Sequence, residues 1–183
     1  MKRVTEILSR VFPMSRAIPE AVLENAKNRG TKVHNWVEAY CKYLKDGGEV
    51  PVINFEYLIY ADAFKKWVND YEVMPLYNEL RLSDKELDIV GTLDMICRTK
   101  DDDVILVDLK VTSQPNIPYV ELQTSAYRYL AEVNQVIEAG KPQALLHLSK
   151  TGYTYVKLND ELDKFKQIVE LDKYIDRRSK DKC

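Results

Sequence analysis

Asp88 to Tyr127 reads DIVGTLDMICRTKDDDVILVDLKVTSQPNIPYVELQTSAY, and this stretch decides the fold. Two apolar, β-branched runs, Ile89 to Ile96 and Val104 to Val111, flank a polar turn from Arg98 to Asp103, the pattern of a hairpin of buried strands. Each run carries charge where a buried strand should have none: Asp94 in the first, Asp108 and Lys110 in the second. With the turn centred near Asp101, facing positions have numbers summing to about 202, so Asp94 falls opposite Asp108. Alternation puts Leu106, Asp108 and Lys110 on one face and Val107, Leu109 and Val111 on the other. Two carboxylates and an ammonium thus converge on one patch.

Unpaired, such charges are costly to desolvate, and like charges opposite one another destabilise a strand pair. An Asp–Lys ion pair at a sheet edge is the plainest compensation. A divalent cation is the other: Asp94, Asp108 and the backbone carbonyl of Leu109 offer the hard oxygen ligands suited to Mg²⁺ or Mn²⁺. Asn116 and Pro118 then open a helix from about Tyr119 to Glu138, closed by Gly140, on which Gln123 and Tyr127 share a face.

The set Gly91-Thr92-Leu93-Asp94, Asp108-Leu109-Lys110, Gln123 and Tyr127 resembles the RecB-like, phage-type exonuclease branch of the PD-(D/E)XK nuclease superfamily. Two weaker features accompany it: Val4-Thr5-Glu6-Ile7-Leu8 near the N-terminus, and Arg29-Gly30-Thr31-Lys32-Val33-His34, similar to an Arg-Gly-x-x-x-His element that precedes the core in that branch. The resemblance implies that His34 approaches the metal, that Gln123 fixes a water or Lys110, and that Tyr127 touches the phosphate. It implies that Glu79, on the strand before the Gly-x-x-Asp motif, supports the second metal or the lysine; an exposed strand glutamate is an equal reading. One departure is visible: Val111 intervenes between Lys110 and Thr112, where relatives often carry Thr or Ser directly after the lysine.

The remainder of the chain supplies scaffold. Its 183 residues are read as a single domain, with a helical part over about 1–70 and a sheet core over about 71–176. A composition of 45% hydrophobic and 31% charged residues fits a globular protein, and a net charge of −2 argues against a general nucleic-acid coat but not against a local groove. From Pro19 the periodicity predicts two consecutive helices broken near Gly30 and stopped at Gly47-Gly48, then a third over Asn54 to Tyr71. A strand is expected over Glu72 to Leu82, two more over Gln143 to Ser149 and Tyr153 to Leu158, and a last helix from Glu161 to about Asp176 with Asp160 as its cap. His147 reads as structural, Asp101 to Asp103 as a solvated tip, and the basic tail Arg177 to Cys183 as frayed.

The expected architecture is α/β: a restriction-endonuclease-like core with a central mixed sheet of about five strands flanked by helices, plus an N-terminal helical section. The expected activity is a Mg²⁺- or Mn²⁺-dependent deoxyribonuclease using one or two ions. An exonuclease acting on linear single- or double-stranded DNA ends in recombination, repair or phage DNA processing is favoured over a sequence-specific endonuclease or a silent DNA- or partner-binding module. A separate helicase, recombinase or single-strand-binding protein would be its partner. Cys41, Cys97 and Cys183 are too few and too scattered for an iron–sulfur cluster, and no Gly-x-x-x-x-Gly-Lys-[Ser/Thr] sequence is present for a nucleotide cofactor. No apolar run reaches membrane-spanning length and no signal-like N-terminus is seen, so a cytoplasmic protein of a bacterial or phage-infected cell is expected.

Overall fold

The computed structural model describes residues 1–13 and 19–180. Its elements are β1 (Lys2–Arg3), α1 (Val4–Ser9), α2 (Glu20–Asp46), a 3₁₀ turn (Phe55–Tyr57), α3 (Leu58–Tyr71), β2 (Met74–Asp84), β3 (Ile89–Arg98), β4 (Ile105–Lys110), α4 (Ile117–Val133), β5 (Gln143–Ser149), β6 (Gly152–Lys157) and α5 (Leu162–Lys180). They form an α/β structure around a six-stranded mixed sheet. The hairpin register is as the sequence predicts: Met95 faces Val107, Ile96 faces Leu106 and Cys97 faces Ile105, each pair summing to 202.

The sheet has helices on both faces because its central strands are apolar on both sides. One core layer packs Trp36, Phe64 and Trp67 of α2 and α3 against Met95, Val107, Leu109 and Leu146. The other packs Ile7 and Leu8 of α1, Leu130 of α4 and Phe165 of α5 against Leu93, Ile96 and Leu106. Burying each such large side chain contributes roughly 1.5–3 kcal/mol.

Strand β3 organises the sheet and is interrupted on one edge. Strand β2 pairs with it from Met74 opposite Arg98 to Asp84 opposite Ile89, with a register shift between Pro75 and Tyr77 and a gap in the pairing at Glu79. On the opposite edge β1 runs parallel to Ile89 and Val90, while β4 pairs only with Met95 to Cys97. Gly91 to Asp94 therefore face a notch between β1 and β4. Strand β1 also accounts for the sixth strand where about five were expected, since two residues are too few to show a period.

Several expectations are corrected. Helix α2 runs unbroken through Gly30, where an added Cβ would meet nothing within 4 Å. A mid-helix glycine costs only about 1 kcal/mol relative to alanine, which a packed long helix absorbs. The stop at Gly47 is as predicted, at φ +76. Glu72 is not in a strand but caps α3 in the left-handed region at φ 52, so β2 begins at Met74. Helix α4 starts at Ile117, with the Asn116 side chain accepting from the Tyr119 amide, and ends at Val133 rather than Glu138 because Gln135 turns to φ 58. Asp160 Oδ1 accepts from the Leu162 amide as a cap should, but α5 continues to Lys180. The tip at Asp101 to Asp103 is not fully solvated: Asp102 Oδ1 accepts from Lys157 Nζ at 2.8 Å. Residues 181–183, including Cys183, lie outside the described residues. Cys41 and Cys97 are buried free thiols, and burial pushes the Cys41 thiol up to about 12.

Candidate active site

The candidate residues assemble in two groups on opposite sides of the sheet, meeting where β3 and β4 part. On the α4 side, Asp108 is almost fully buried and its Oδ2 lies 2.7 Å from Lys110 Nζ. Lys110 Nζ donates to Gln123 Oε1 at 3.1 Å, and Gln123 Nε2 donates to the Tyr127 hydroxyl at 3.0 Å. One line of contacts thus runs from β4 to the middle of α4. Helical spacing stacks Gln123 and Tyr127 four residues apart, and Gly91 admits the Tyr127 ring: a Cβ at Gly91 would lie 2.6 Å from Tyr127 Cε1.

On the α2 side stand His34, Glu79 and Asp94. His34 Nδ1 is 3.7 Å from Glu79 Oε1 and 3.6 Å from Asp94 Oδ1. Ligand atoms of all three lie within 4.8 Å of one another. Glu79 falls between the pairs Asn78–Met95 and Leu80–Leu93, hence across from Asp94, and its backbone is left-handed at φ 47. This interruption slips the strand alternation. Leu93 and Ile96 both enter the α4-side core although three residues apart, so Asp94 is not held to the face that simple alternation assigns it.

Asp94 joins the groups. Its Oδ2 accepts from the Leu109 amide at 2.7 Å, midway between Asp108 and Lys110 in sequence. This Leu109 contact is through N–H; the atom of Leu109 expected as a ligand is its carbonyl oxygen. Burial pushes the Asp94 carboxyl up to about 6, with the Asp108 charge adding to it and His34 and Lys110 opposing. For His34, burial disfavours the imidazolium, but Glu79 and Asp94 outweigh it and raise the pKa. Burial likewise opposes the Lys110 ammonium, yet Asp108 and Asp94 raise its pKa above the ordinary lysine value.

The donor set fits a divalent cation. His34, Glu79, Asp94 and Leu109 border a cavity of about 10 Å³, the scale of one water or ion. Among the described residues Asp108 Oδ2 is buried with no hydrogen bond of directed geometry, and the Lys110 ammonium stands 2.7 Å from it. Carboxylate oxygens are ligands for a hard divalent cation, and the imidazole adds one nitrogen donor. Asp108 lies outside the group of three, so the site offers His34, Glu79 and Asp94 on one side and the Asp108 carboxylate on the other.

Three further residues bear on the site. Arg29 Nη2 donates to the Val111 carbonyl at 3.3 Å and His147 Nε2 is 2.7 Å from the Thr112 carbonyl, so both fasten the chain leaving Lys110. Tyr119 is half-buried, and burial raises its hydroxyl pKa, with Lys110 lowering and Asp108 raising it. Its spacing four residues before Gln123 was the available signal. Nothing local marked His147, whose role follows from its position beside Lys110 in the β4–β5 ladder.

No family model matches the chain. It is 28% identical over 98 residues to the bifunctional protein PyrR of Clostridium beijerinckii, covering 54% of each chain, so it spans about half the length of that curated relative. Among solved structures it is similar to a candidate exonuclease from Eubacterium rectale, at TM-score 0.52 and 12% identity, over 78% of this chain and 64% of that one. It also aligns with an alkaline exonuclease from Laribacter hongkongensis at TM-score 0.39 and 11% identity, over 99% of this chain and 94% of the other. The likeness to the Eubacterium rectale structure shows the fold, an α/β architecture of the restriction-endonuclease-like kind. Among the described residues no helix is long and apolar enough to cross a membrane.

Proposed function

We propose that the chain is a divalent-metal-dependent nuclease that hydrolyses phosphodiester bonds in DNA. The observation that carries this reading is the continuous line from Asp94 through the Leu109 amide to Asp108, Lys110, Gln123 and Tyr127, with His34 and Glu79 gathered at its near end. An ordinary ion pair needs Asp108 and Lys110 only; it gives no reason for two further carboxylates and a histidine to converge beside them.

His34, Glu79, Asp94 and Asp108 would hold one or two Mg²⁺ or Mn²⁺ ions. Such an ion supplies Lewis-acid relief of phosphoryl charge and a more acidic water. The protein's own groups supply position and charge. Lys110 keeps its proton beside Asp108 and Asp94, which suits it to stabilise the charge that builds on the phosphoryl oxygens rather than to act as the base. Asp108 and Gln123 grip the ammonium from two directions, and the Tyr127 hydroxyl fixes the Gln123 amide so that its oxygen faces Lys110.

We infer an exonuclease acting on linear DNA ends, in a cytoplasmic setting and alongside a helicase, recombinase or single-strand-binding partner. Support for end-directed cleavage is the resemblance set out above and the candidate exonuclease that shares the fold. The test is a time course on end-labelled linear and closed circular DNA in Mg²⁺, Mn²⁺ or EDTA, with Lys110→Ala as the contamination control. Metal-dependent loss of linear DNA alone, absent in the variant, is expected. Discrete fragments from circular DNA would move the reading to a sequence-specific endonuclease, and inertness in both metals would overturn catalysis.

A further inference from the structure

Among the described residues β4 pairs with β3 only as far as Val107, so Asp108, Leu109 and Lys110 are held in the ladder by β5 alone. The last rung joins Lys110 to His147, which sets their side chains next to one another on one face of the sheet. A strand end with a single neighbour frays readily, yet here the chain beyond the rung is tied down by side chains. His147 Nε2 lies 2.7 Å from the Thr112 carbonyl, and Arg29 of α2 reaches the Val111 carbonyl through Nε at 3.4 Å and Nη2 at 3.3 Å. A carbonyl oxygen only accepts, so His147 Nε2 carries a proton and the ring donates. The Leu109 amide is already bound to Asp94. The backbone on both sides of Lys110 is therefore fixed by side chains from β3, β5 and α2.

We propose that His147 and Arg29 form a clamp that positions Lys110: by holding the two carbonyls that follow it, they fix the direction in which its ammonium leaves β4. In this role both act through the lysine and not on the reacting atoms. The inference rests on the nuclease reading for its effect on rate, and on the hydrogen bonds alone for its effect on the lysine. Asp108 Oδ2 at 2.7 Å and Gln123 Oε1 at 3.1 Å hold the far end of the side chain, and the clamp holds the near end. Misplacing a catalytic group by about 1 Å costs on the order of 10²-fold in rate, so a frayed strand end is enough to idle the lysine. His147 carries the larger share, since its contact is short while those of Arg29 lie at the long limit for a hydrogen bond.

The test compares His147→Leu, which keeps bulk and removes the donor, with His147→Gln, whose amide nitrogen returns a donor near the place of Nε2. Circular dichroism checks the fold, and His147→Ser replaces His147→Leu if the apolar side chain is not accepted. Two readouts are taken on each variant: steady-state cleavage of end-labelled linear DNA in Mn²⁺, and the NMR resonance of the Lys110 ammonium, identified by its loss in Lys110→Ala. His147→Leu should lower kcat by about 10- to 100-fold with KM held within about twofold, and should shift or broaden the Lys110 resonance, while His147→Gln recovers most of both. Arg29→Gln should move both readouts in the same direction by less. An unmoved Lys110 resonance in His147→Leu, a loss that His147→Gln fails to recover, or a rise in KM with kcat unchanged overturns the clamp. Wild-type protein inert in both Mg²⁺ and Mn²⁺ removes the nuclease reading, and the Lys110 resonance then decides the clamp by itself.

Discussion

Asp94 Oδ2 accepts a 2.7 Å hydrogen bond from the Leu109 amide just beyond the last ladder pair, Met95 with Val107. That bond carries a carboxylate from one side of the sheet to the edge of the lysine network on the other. It explains how an interrupted hairpin can hold two acid groups close together without an ordered ladder between them.

Replacing either aspartate should separate stability from activity. Asp108→Asn should lower cleavage by about 10² to 10³ or more, since it removes both a candidate ligand and the partner of Lys110. Asp94→Asn should also abolish metal-dependent cleavage, yet leave the metal-free melting temperature unchanged or higher, because the raised pKa means that the ionised form is disfavoured in the fold. Thermal melts and cleavage assays on both variants check this; wild-type rates in either would remove the assigned site.

Metal stabilisation should depend on pH with a definite sign. The Asp94 carboxyl ordinarily titrates at 3.8 and is raised to about 6 in the fold, so its contribution to metal-free stability is present below 3.8 and lost as pH rises through about 6. A cation binds the ionised form and competes with the proton. The melting shift produced by Mn²⁺ should therefore be largest above about pH 6 and shrink as pH falls toward about 5. A shift that is flat across this window would exclude Asp94 as a ligand.

Glu79 offers a sharper separation. Its left-handed backbone at φ 47 costs about 1–3 kcal/mol in a non-glycine residue. Glu79→Gly should therefore melt no lower than wild type while binding Mn²⁺ more weakly, as read by calorimetry. A large drop in melting temperature would assign the carboxylate a structural role instead.

Gly91→Ala should be destabilising by about 1–3 kcal/mol, because its Cβ would stand 2.6 Å from the Tyr127 ring. Pushing that ring away disturbs the hydroxyl that holds Gln123, so cleavage should fall as well. Combining Gly91→Ala with Tyr127→Leu should recover most of the stability but not the activity, as measured by denaturant unfolding and end-labelled DNA.

Much of this protein was legible in local sequence. The β3–β4 register followed from the turn and the rule that facing positions share a sum, and the Gln123–Tyr127 stripe followed from helical spacing. Lys110 beside Asp108 followed from strand alternation. These are short-range relations set by backbone geometry, so the amino-acid order suffices to state them.

Tertiary structure decided the rest. Glu79 enters the cluster because β2 breaks its regular conformation opposite Asp94, and that break reverses the faces which alternation assigns. His34 reaches the same point because α2 continues through Gly30 and packs on one face of the sheet. Arg29 and His147 meet the chain leaving Lys110 only because α2 and β5 both reach the end of β4. Pairing between distant segments leaves no period in either segment, which is why the Asp108–Lys110 pair could be read from the order of residues while the placement of Asp94, the cluster and the cavity around it could not.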